Sequence, residues 1–229
     1  PEACFKILVL PFDSLPSSER EREKIIRWRA KKQMAVLADD ARLTYEAVTT
    51  GSSVKVLVAL ARMPVIREYE DLFAGLGLDV GIASSPTVSL LNLVDWESEK
   101  DLLLANIEED SLGLVAVTQS EPALYRLKTF PAGRDGGLRF SQKIEAVVQE
   151  IEYTAHFVED REKRQVRSLW FRSGLKEGRE DIRAGLKTAL PFDVRPVLAP
   201  PACGLDPAGS MFLAPLAGQF PWPEKTPAG

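Results

Sequence analysis

The sequence is poor in the residue types from which most catalytic and metal sites are built. Its 229 residues include one histidine, His156, and two cysteines, Cys4 and Cys203. A Ser–His–Asp or Cys–His arrangement would have to use His156, which falls in a predicted helix with no serine or cysteine beside it. One histidine and two distant cysteines also give zinc no cluster of ligands. We therefore expect no catalytic residue and no metal site, and we read His156 as a helix-surface or core residue and Cys203 as incidental.

Long apolar runs and an excess of basic charge are also missing. The longest apolar runs, such as residues 54–61, are strand-sized, and a membrane span needs roughly 20 apolar residues. The 29 basic and 33 acidic residues are largely interleaved and give a net charge of -4. We therefore expect no nucleic-acid partner and no direct membrane insertion. The two cysteines are a poor disulfide framework, and the chain has no secretory signal, so we expect a cytoplasmic protein. Because it starts at Pro1 and not at methionine, it is compatible with a fragment.

Phosphate-binding glycine motifs are absent as well. Neither a Walker-type loop nor G-x-G-x-x-G occurs, and residues 133–137 form only a loose glycine loop with Arg134 before a helix. That loop could hold an anion at the helix N-terminus, or it is a plain connection. The acidic clusters at residues 108–110 and 159–160 are more typical of solvated turns than of hard-cation sites, because adjacent side chains do not all face one ion. We therefore expect no cofactor-binding residue.

What the sequence does contain is an alternation of strand-like and helical patterns, which favours an α/β protein. Its hydrophobic content of 45% is ample for a core. The almost wholly apolar run 54–60 predicts a central strand, joined through a short glycine-containing connection to a neighbour. Predicted strands lie at residues 5–10, 43–48, 54–60, 78–83, 101–107, 112–118, 123–129, 166–171 and 192–197, and predicted helices at 18–32, 64–76, 86–96, 144–158, 177–190 and 211–220.

Two of the predicted helices carry informative faces. The helix at residues 18–32 is mostly charged, so its Trp28 is either an ordinary surface residue or an anchor for a partner. The helix that begins at Pro64 has apolar positions at helical spacing and two glycines at its end. Those apolar positions are Ile66, Tyr69, Leu72, Phe73 and Leu76.

The order of these elements resembles the PilM family of type IV pilus proteins. The apolar strand 54–60 followed by Arg62, a helix, Gly77-Leu78 and a further strand is similar to the pattern in that family. Residues 101–118 resemble its second phosphate-loop hairpin, and residues 169–190 resemble the strand and helix around its adenine-side glycines. The resemblance implies an α/β, actin-like (ribonuclease H-like) two-lobed fold with mixed sheets and flanking helices.

The resemblance also implies a domain organisation and partners. The first lobe would cover residues 1–97, the second lobe 98–200, and a closing helix with a flexible tail 201–229. In PilM-like proteins the cleft binds ATP, and the outer lobe captures the short N-terminal tail of the membrane protein PilN. The related cytoplasmic part of the type II secretion protein GspL has the same architecture and docks the secretion ATPase.

The sequence departs from this family where the nucleotide chemistry belongs. The Asp-Ile-Gly core of the second phosphate loop is replaced by Asn106-Ile107-Glu108, which removes a metal-positioning carboxylate and puts negative charge where phosphate would sit. The adenine-side glycine pair is reduced to Ser173-Gly174, and Pro215 interrupts the closing helix. The first phosphate loop is missing because the chain starts beyond it, so ATP and magnesium would need earlier residues that restore that loop.

The sequence-level hypothesis is therefore a non-enzymatic, PilM-like scaffold. It would lie in the cytoplasm at the inner face of the inner membrane, bind the tail of a PilN-like membrane protein and not hydrolyse ATP. An assembly or secretion ATPase is a further possible partner. The alternatives are a GspL-like docking domain of a type II secretion system and a nucleotide-dependent actin-like ATPase or kinase.

Overall fold

The computed structural model describes residues 5–33, 40–50, 53–95, 99–131, 138–175, 178–200 and 213–218. The chain forms two compact units, Pro1–Ala83 and Ser84–Gly229. Several features that the sequence singled out lie outside the described residues, namely Cys4, Cys203, the glycine loop at residues 133–137 with Arg134, and the tail at residues 219–229.

The smaller unit is built on a three-stranded antiparallel sheet. The strands are β1 (Phe5–Phe12), β2 (Ala41–Thr50) and β3 (Ser53–Arg62), in the order β1-β3-β2. The central position predicted for the apolar run 54–60 is therefore confirmed. Helix α1 (Glu19–Gln33) packs on this sheet through Ile26 and Ala30, while the rest of the helix is largely solvated. Trp28 remains 58% exposed.

Helix α2 (Met63–Ala74) follows β3 directly and ends at the expected glycines. Gly77 has a φ of 73°, and its N–H donates to the carbonyl of Ala74 while the N–H of Leu78 donates to the carbonyl of Phe73. This pair of bonds is the Schellman motif, which requires a left-handed residue that glycine supplies without strain. The motif reverses the chain at the end of α2.

The strand predicted at residues 78–83 is wrong. Residues 78–85 have no regular secondary structure, and Leu78 and Ile82 are 55% and 81% exposed. Their alternation with polar residues is typical of a strand, but a strand also needs a partner for its backbone groups, and within the described parts of the chain none pairs with this segment.

The larger unit is built on a five-stranded mixed sheet. Its strands are β4 (Leu102–Ile107), β5 (Ser111–Thr118), β6 (Glu121–Thr129), β7 (Ser168–Ser173) and β8 (Asp193–Pro196), in the order β6-β5-β4-β7-β8. The predicted antiparallel meander is confirmed for β4, β5 and β6. Strands β7 and β8 join parallel to β4, and the helices of this unit are α3 (Pro86–Ser89), α4 (Phe140–Glu162), α5 (Arg179–Ala189) and α6 (Leu213–Ala217).

Helices cover both faces of this sheet, so its central strand β4 is buried along its whole length. Because side chains alternate along a strand, Leu103, Ala105 and Ile107 face α4 and α5. Leu102 and Leu104 face the opposite layer, formed by α3, a 3-10 helix at Leu90–Leu93 and α6. Asn106 shares the parity of Leu102 and Leu104, which places a polar side chain on the α3 face.

Two helical segments end earlier than the sequence predicts. The helix expected at residues 86–96 is α3 followed by the 3-10 turn, which ends at Leu93. The described part of the closing helix is α6, where Pro215 sits in the first turn and so replaces no helical donor. No helix among the described residues is long and apolar enough to cross a membrane.

Candidate functional site

The first candidate site lies at the carboxyl edge of the five-stranded sheet. Strands β4 and β7 run parallel in a register that pairs Asn106 with Arg172 and Ile107 with Ser173. Their ends therefore bring together the two segments that the sequence singled out, Asn106-Ile107-Glu108 and Ser173-Gly174. In parallel α/β sheets this edge is where ligands bind, so these residues occupy the place of a ligand site.

An internal ion pair occupies this edge. The guanidinium Nη1 of Arg172 contacts Oε1 of Glu108 directly and donates a hydrogen bond of 2.9 Å to Oδ1 of Asn106. Asn106 Nδ2 lies 3.4 Å from both Glu108 Oε1 and Thr87 Oγ1. The Arg172 side chain is 4% exposed and that of Glu108 is 34% exposed, so the cation is buried and the carboxylate reaches solvent on one side.

Glycine at position 174 makes room for the Glu108 carboxylate. A Cβ on Gly174 would overlap Glu108 Oε2 and would lie 2.8 Å from Arg172 Nη1. The backbone of Gly174 is fixed by a bond of 2.8 Å from its N–H to the carbonyl of Ile107. The Glu108 carboxylate therefore occupies the space that a side chain at position 174 would take.

The turn that carries Glu108 is anchored on both sides. The N–H of Glu108 donates to the carbonyl of Ser111 at 2.8 Å, and the N–H of Phe130 donates to the carbonyl of Asp110 at 2.7 Å. From α4, the buried Lys143 donates through Nζ to the carbonyl of Glu109 at 2.5 Å. Burial lowers the pKa of Lys143, against the opposing effect of the nearby carboxylates. These bonds hold the backbone of Glu108 in place beside Arg172.

The other polar residues singled out from the sequence do not join this site. Glu109 and Asp110 are exposed, and among the described residues no group of histidine, cysteine and carboxylate side chains could hold a metal ion. His156 lies on the surface of α4, with Nδ1 3.7 Å from Glu159 Oε2. Arg172 was not among the residues singled out from the sequence, although a charged residue directly after the apolar run Leu169-Trp170-Phe171 is a detectable signal.

The second candidate site is an exposed apolar face on the smaller unit. No residue of α2 is buried, and Tyr69, Leu72 and Leu76 are 59%, 63% and 70% exposed. We call these residues, together with Phe73 and Leu78, the α2 face. Singly exposed apolar residues are ordinary, whereas a contiguous group at helical spacing marks an interaction surface.

The α2 face has an acidic surround. Residues 63–83 contain four carboxylates, Glu68, Glu70, Asp71 and Asp79, and one arginine, Arg67. Glu70 is paired with Arg42 on β2 at 3.5 Å, and the other three carboxylates are exposed. Glu68, Asp71 and Asp79 are each next in sequence to an apolar residue of the α2 face, and we call these three exposed carboxylates its acidic rim.

The opposite, amino-terminal edge of the five-stranded sheet is held by charge pairs. Arg164 donates to Asp101 through Nε at 2.7 Å and Nη2 at 2.6 Å. Glu99 accepts from Ser168, from Trp170 at 3.1 Å and from Arg195. The carboxylates of Asp101 and Glu99 both accept hydrogen bonds from neighbouring side chains. These bonds hold this edge of the sheet together, so we assign them a structural role.

The Asp101–Arg164 pair gives a pH-dependent prediction. The hydrogen bond from Arg164 lowers the pKa of Asp101 below its ordinary value of 3.8. A carboxyl with a lowered folded-state pKa adds stability above its unfolded pKa, and that stability is lost as the pH falls through the folded value. We therefore expect Asp101→Asn to be less stable than wild type at pH 7, with a difference that shrinks below about pH 4. Urea midpoints measured at a series of pH values test this, and a difference that stays constant down to pH 3 would contradict it.

Comparison with known proteins identifies the fold. No family model and no curated protein matches the chain. A chain of the solved PilM–PilN type IV pilus biogenesis complex superposes with a TM-score of 0.74 at 18% identity, covering 93% of this chain and 75% of that one. A Bacteroides thetaiotaomicron protein with an actin-like ATPase fold gives a TM-score of 0.46 at 9% identity, covering 90% of this chain and 69% of that one. The expected PilM-like, actin-like α/β fold is confirmed.

Proposed function

We propose that this chain is a PilM-like scaffold of the inner-membrane platform of a type IV pilus. It lies on the cytoplasmic side, docks the short tail of a PilN-like membrane protein and does not hydrolyse ATP. The observation that supports this most directly is the likeness to a chain of the PilM–PilN complex, which extends over 93% of the chain.

The chemistry of the α2 face supports a tail of this kind as the partner. Cytoplasmic segments next to a membrane span are enriched in lysine and arginine. Such a tail with apolar anchors matches a surface whose centre is Leu72 and Leu76 and whose rim carries Glu68, Asp71 and Asp79. Burial of each leucine contributes about 1.5–3 kcal/mol, and the rim steers and orients the basic partner.

The carboxyl edge of the larger unit supports a role without ATP hydrolysis. Asn106 carries no charge with which to position a metal-bound water, and its amide is already engaged with Arg172, Thr87 and Glu108. The Glu108 carboxylate fills the space above Gly174. A polyphosphate placed there would meet a like charge in a site where its best cationic partner is already neutralised.

Calorimetric titration of the purified chain tests both parts of the proposal. One titrant is a synthetic peptide with the cytoplasmic N-terminal sequence of the PilN-like protein from the same organism, and the other is ATP with magnesium. We expect micromolar binding of the peptide, no heat from the nucleotide and no release of phosphate on incubation. A peptide of the same composition in scrambled order is the control for charge alone.

The two titrations contradict different parts of the proposal. Equal affinity for the native and the scrambled peptide would remove the PilN-like tail as the specific partner. Micromolar binding of ATP with magnesium, followed by phosphate release, would show that the chain is an ATPase.

A further inference from the structure

The Glu108 carboxylate is held in the way that proteins hold the oxyanion of a bound ligand. One oxygen, Oε1, is contacted by Arg172 Nη1 and lies within 3.4 Å of Asn106 Nδ2. The other oxygen, Oε2, occupies the space that a Cβ at Gly174 would take. A guanidinium, an amide donor and a bare glycine backbone together form a cradle for a carboxylate or phosphate group.

The fold fixes the positions of the two side chains that form the cradle. Arg172 is 4% exposed and Asn106 is 3% exposed, and both come from the centre of a sheet with fixed register. A buried guanidinium is costly unless an anion accompanies it. Glu108 meets this need from a turn whose backbone is bonded to Ser111. A group attached to the chain has an effective concentration that a free anion must exceed to displace it.

We propose that Glu108 is a built-in anion, which keeps this oxyanion cradle of Arg172, Asn106 and Gly174 permanently occupied. The carboxyl edge of the larger unit then has the arrangement of an anion-bound site although no phosphate compound is bound there. This inference rests on the proposed function and deepens it, because it gives the physical reason why the scaffold works without nucleotide.

Thermal unfolding in two buffers of equal ionic strength, sodium chloride and sodium phosphate, tests the inference. Glu108→Ala removes the internal anion and leaves the cradle. We expect this variant to melt below wild type in chloride, and phosphate at ten times its dissociation constant to raise its midpoint by roughly 3–5 °C. The matched control is Glu109→Ala on the same turn, an exposed carboxylate outside the cradle. We expect this control and wild type to show no phosphate-dependent rise.

Two further variants keep the test decisive if Glu108→Ala does not fold. Glu108→Ser also removes the carboxylate and empties the cradle but keeps a polar residue on the turn, so its midpoint should also rise with phosphate. The double variant of Glu108→Ala with Arg172→Met lacks the guanidinium that phosphate would neutralise, so it should fold and its midpoint should not rise with phosphate.

Two results would overturn the inference. One is the absence of a phosphate-dependent rise in both Glu108→Ala and Glu108→Ser, and the other is an equal rise in wild type. The peptide titration on the wild-type chain is read separately, because peptide binding does not involve the cradle. If the Glu108 variants do not respond to phosphate, the proposal of a PilN-like partner is unaffected. If the peptide does not bind, the expected phosphate response of the variants is unaffected.

Discussion

Replacing Phe171 with alanine is expected to lower the free energy of unfolding of the larger unit by about 3–5 kcal/mol. Phe171 lies on β7, is 1% exposed, and belongs to the core between the five-stranded sheet and helices α4 and α5. Truncation removes the transfer free energy of the ring and leaves a cavity between elements that are fixed by the sheet. Urea unfolding followed by circular dichroism measures the change.

The matched control is Phe157→Ala, the same chemical change on the outer side of α4. Phe157 is 43% exposed, so its truncation is expected to change stability by no more than about 0.5 kcal/mol. Similar losses in the two variants would mean that Phe171 is not in the core and that the packing of β7 against α4 is wrong.

Replacing Leu72 and Leu76 together with serine is expected to weaken binding of the PilN-like tail roughly 100-fold or more. The two leucines are 63% and 70% exposed, so the free protein loses no core packing and should keep its melting temperature. Serine is chosen over aspartate because a new carboxylate would attract a basic tail and mask the loss of apolar contact. Calorimetry with the same peptide measures the affinity.

The control for this pair is Ile25→Ser combined with Leu198→Ser. Both residues are exposed, at 40% and 53%, and neither belongs to the α2 face. We expect the control to bind the peptide as wild type does. If the control loses affinity as much as the α2 variant, or if the α2 variant binds normally, the tail docks elsewhere.

Elements whose evidence is local were predictable from the sequence. The almost wholly apolar run 54–60 is the central strand of its sheet, and it buries Val56, Val58 and Leu60. The three strand-sized runs after residue 100 are joined by short turns that allow antiparallel neighbours, and they form the meander. Helix α4, predicted at residues 144–158, buries the apolar residues Val147, Ile151, Ala155 and Val158.

Features that depend on distant partners were not predictable in the same way. Residues 78–83 alternate like a strand, but strand formation is decided by the availability of a backbone partner, which a local pattern does not contain. The contact between Glu108 and Arg172 joins residues 64 positions apart, and it exists because β4 and β7 are parallel and in one particular register. Asn106 and Glu108 were found from the resemblance, whereas their contact with Arg172 depends on the register itself.

The internal ion pair also constrains how this sequence can change over generations. Loss of Glu108 alone leaves a charged guanidinium buried among β4 and β7, and loss of Arg172 alone leaves a carboxylate lodged over Gly174 without its cation. Removing one member of such a pair is generally worse than replacing both with apolar residues. Replacement of both residues together is therefore expected to cost less stability than loss of either one alone, so positions 108 and 172 are expected to vary together.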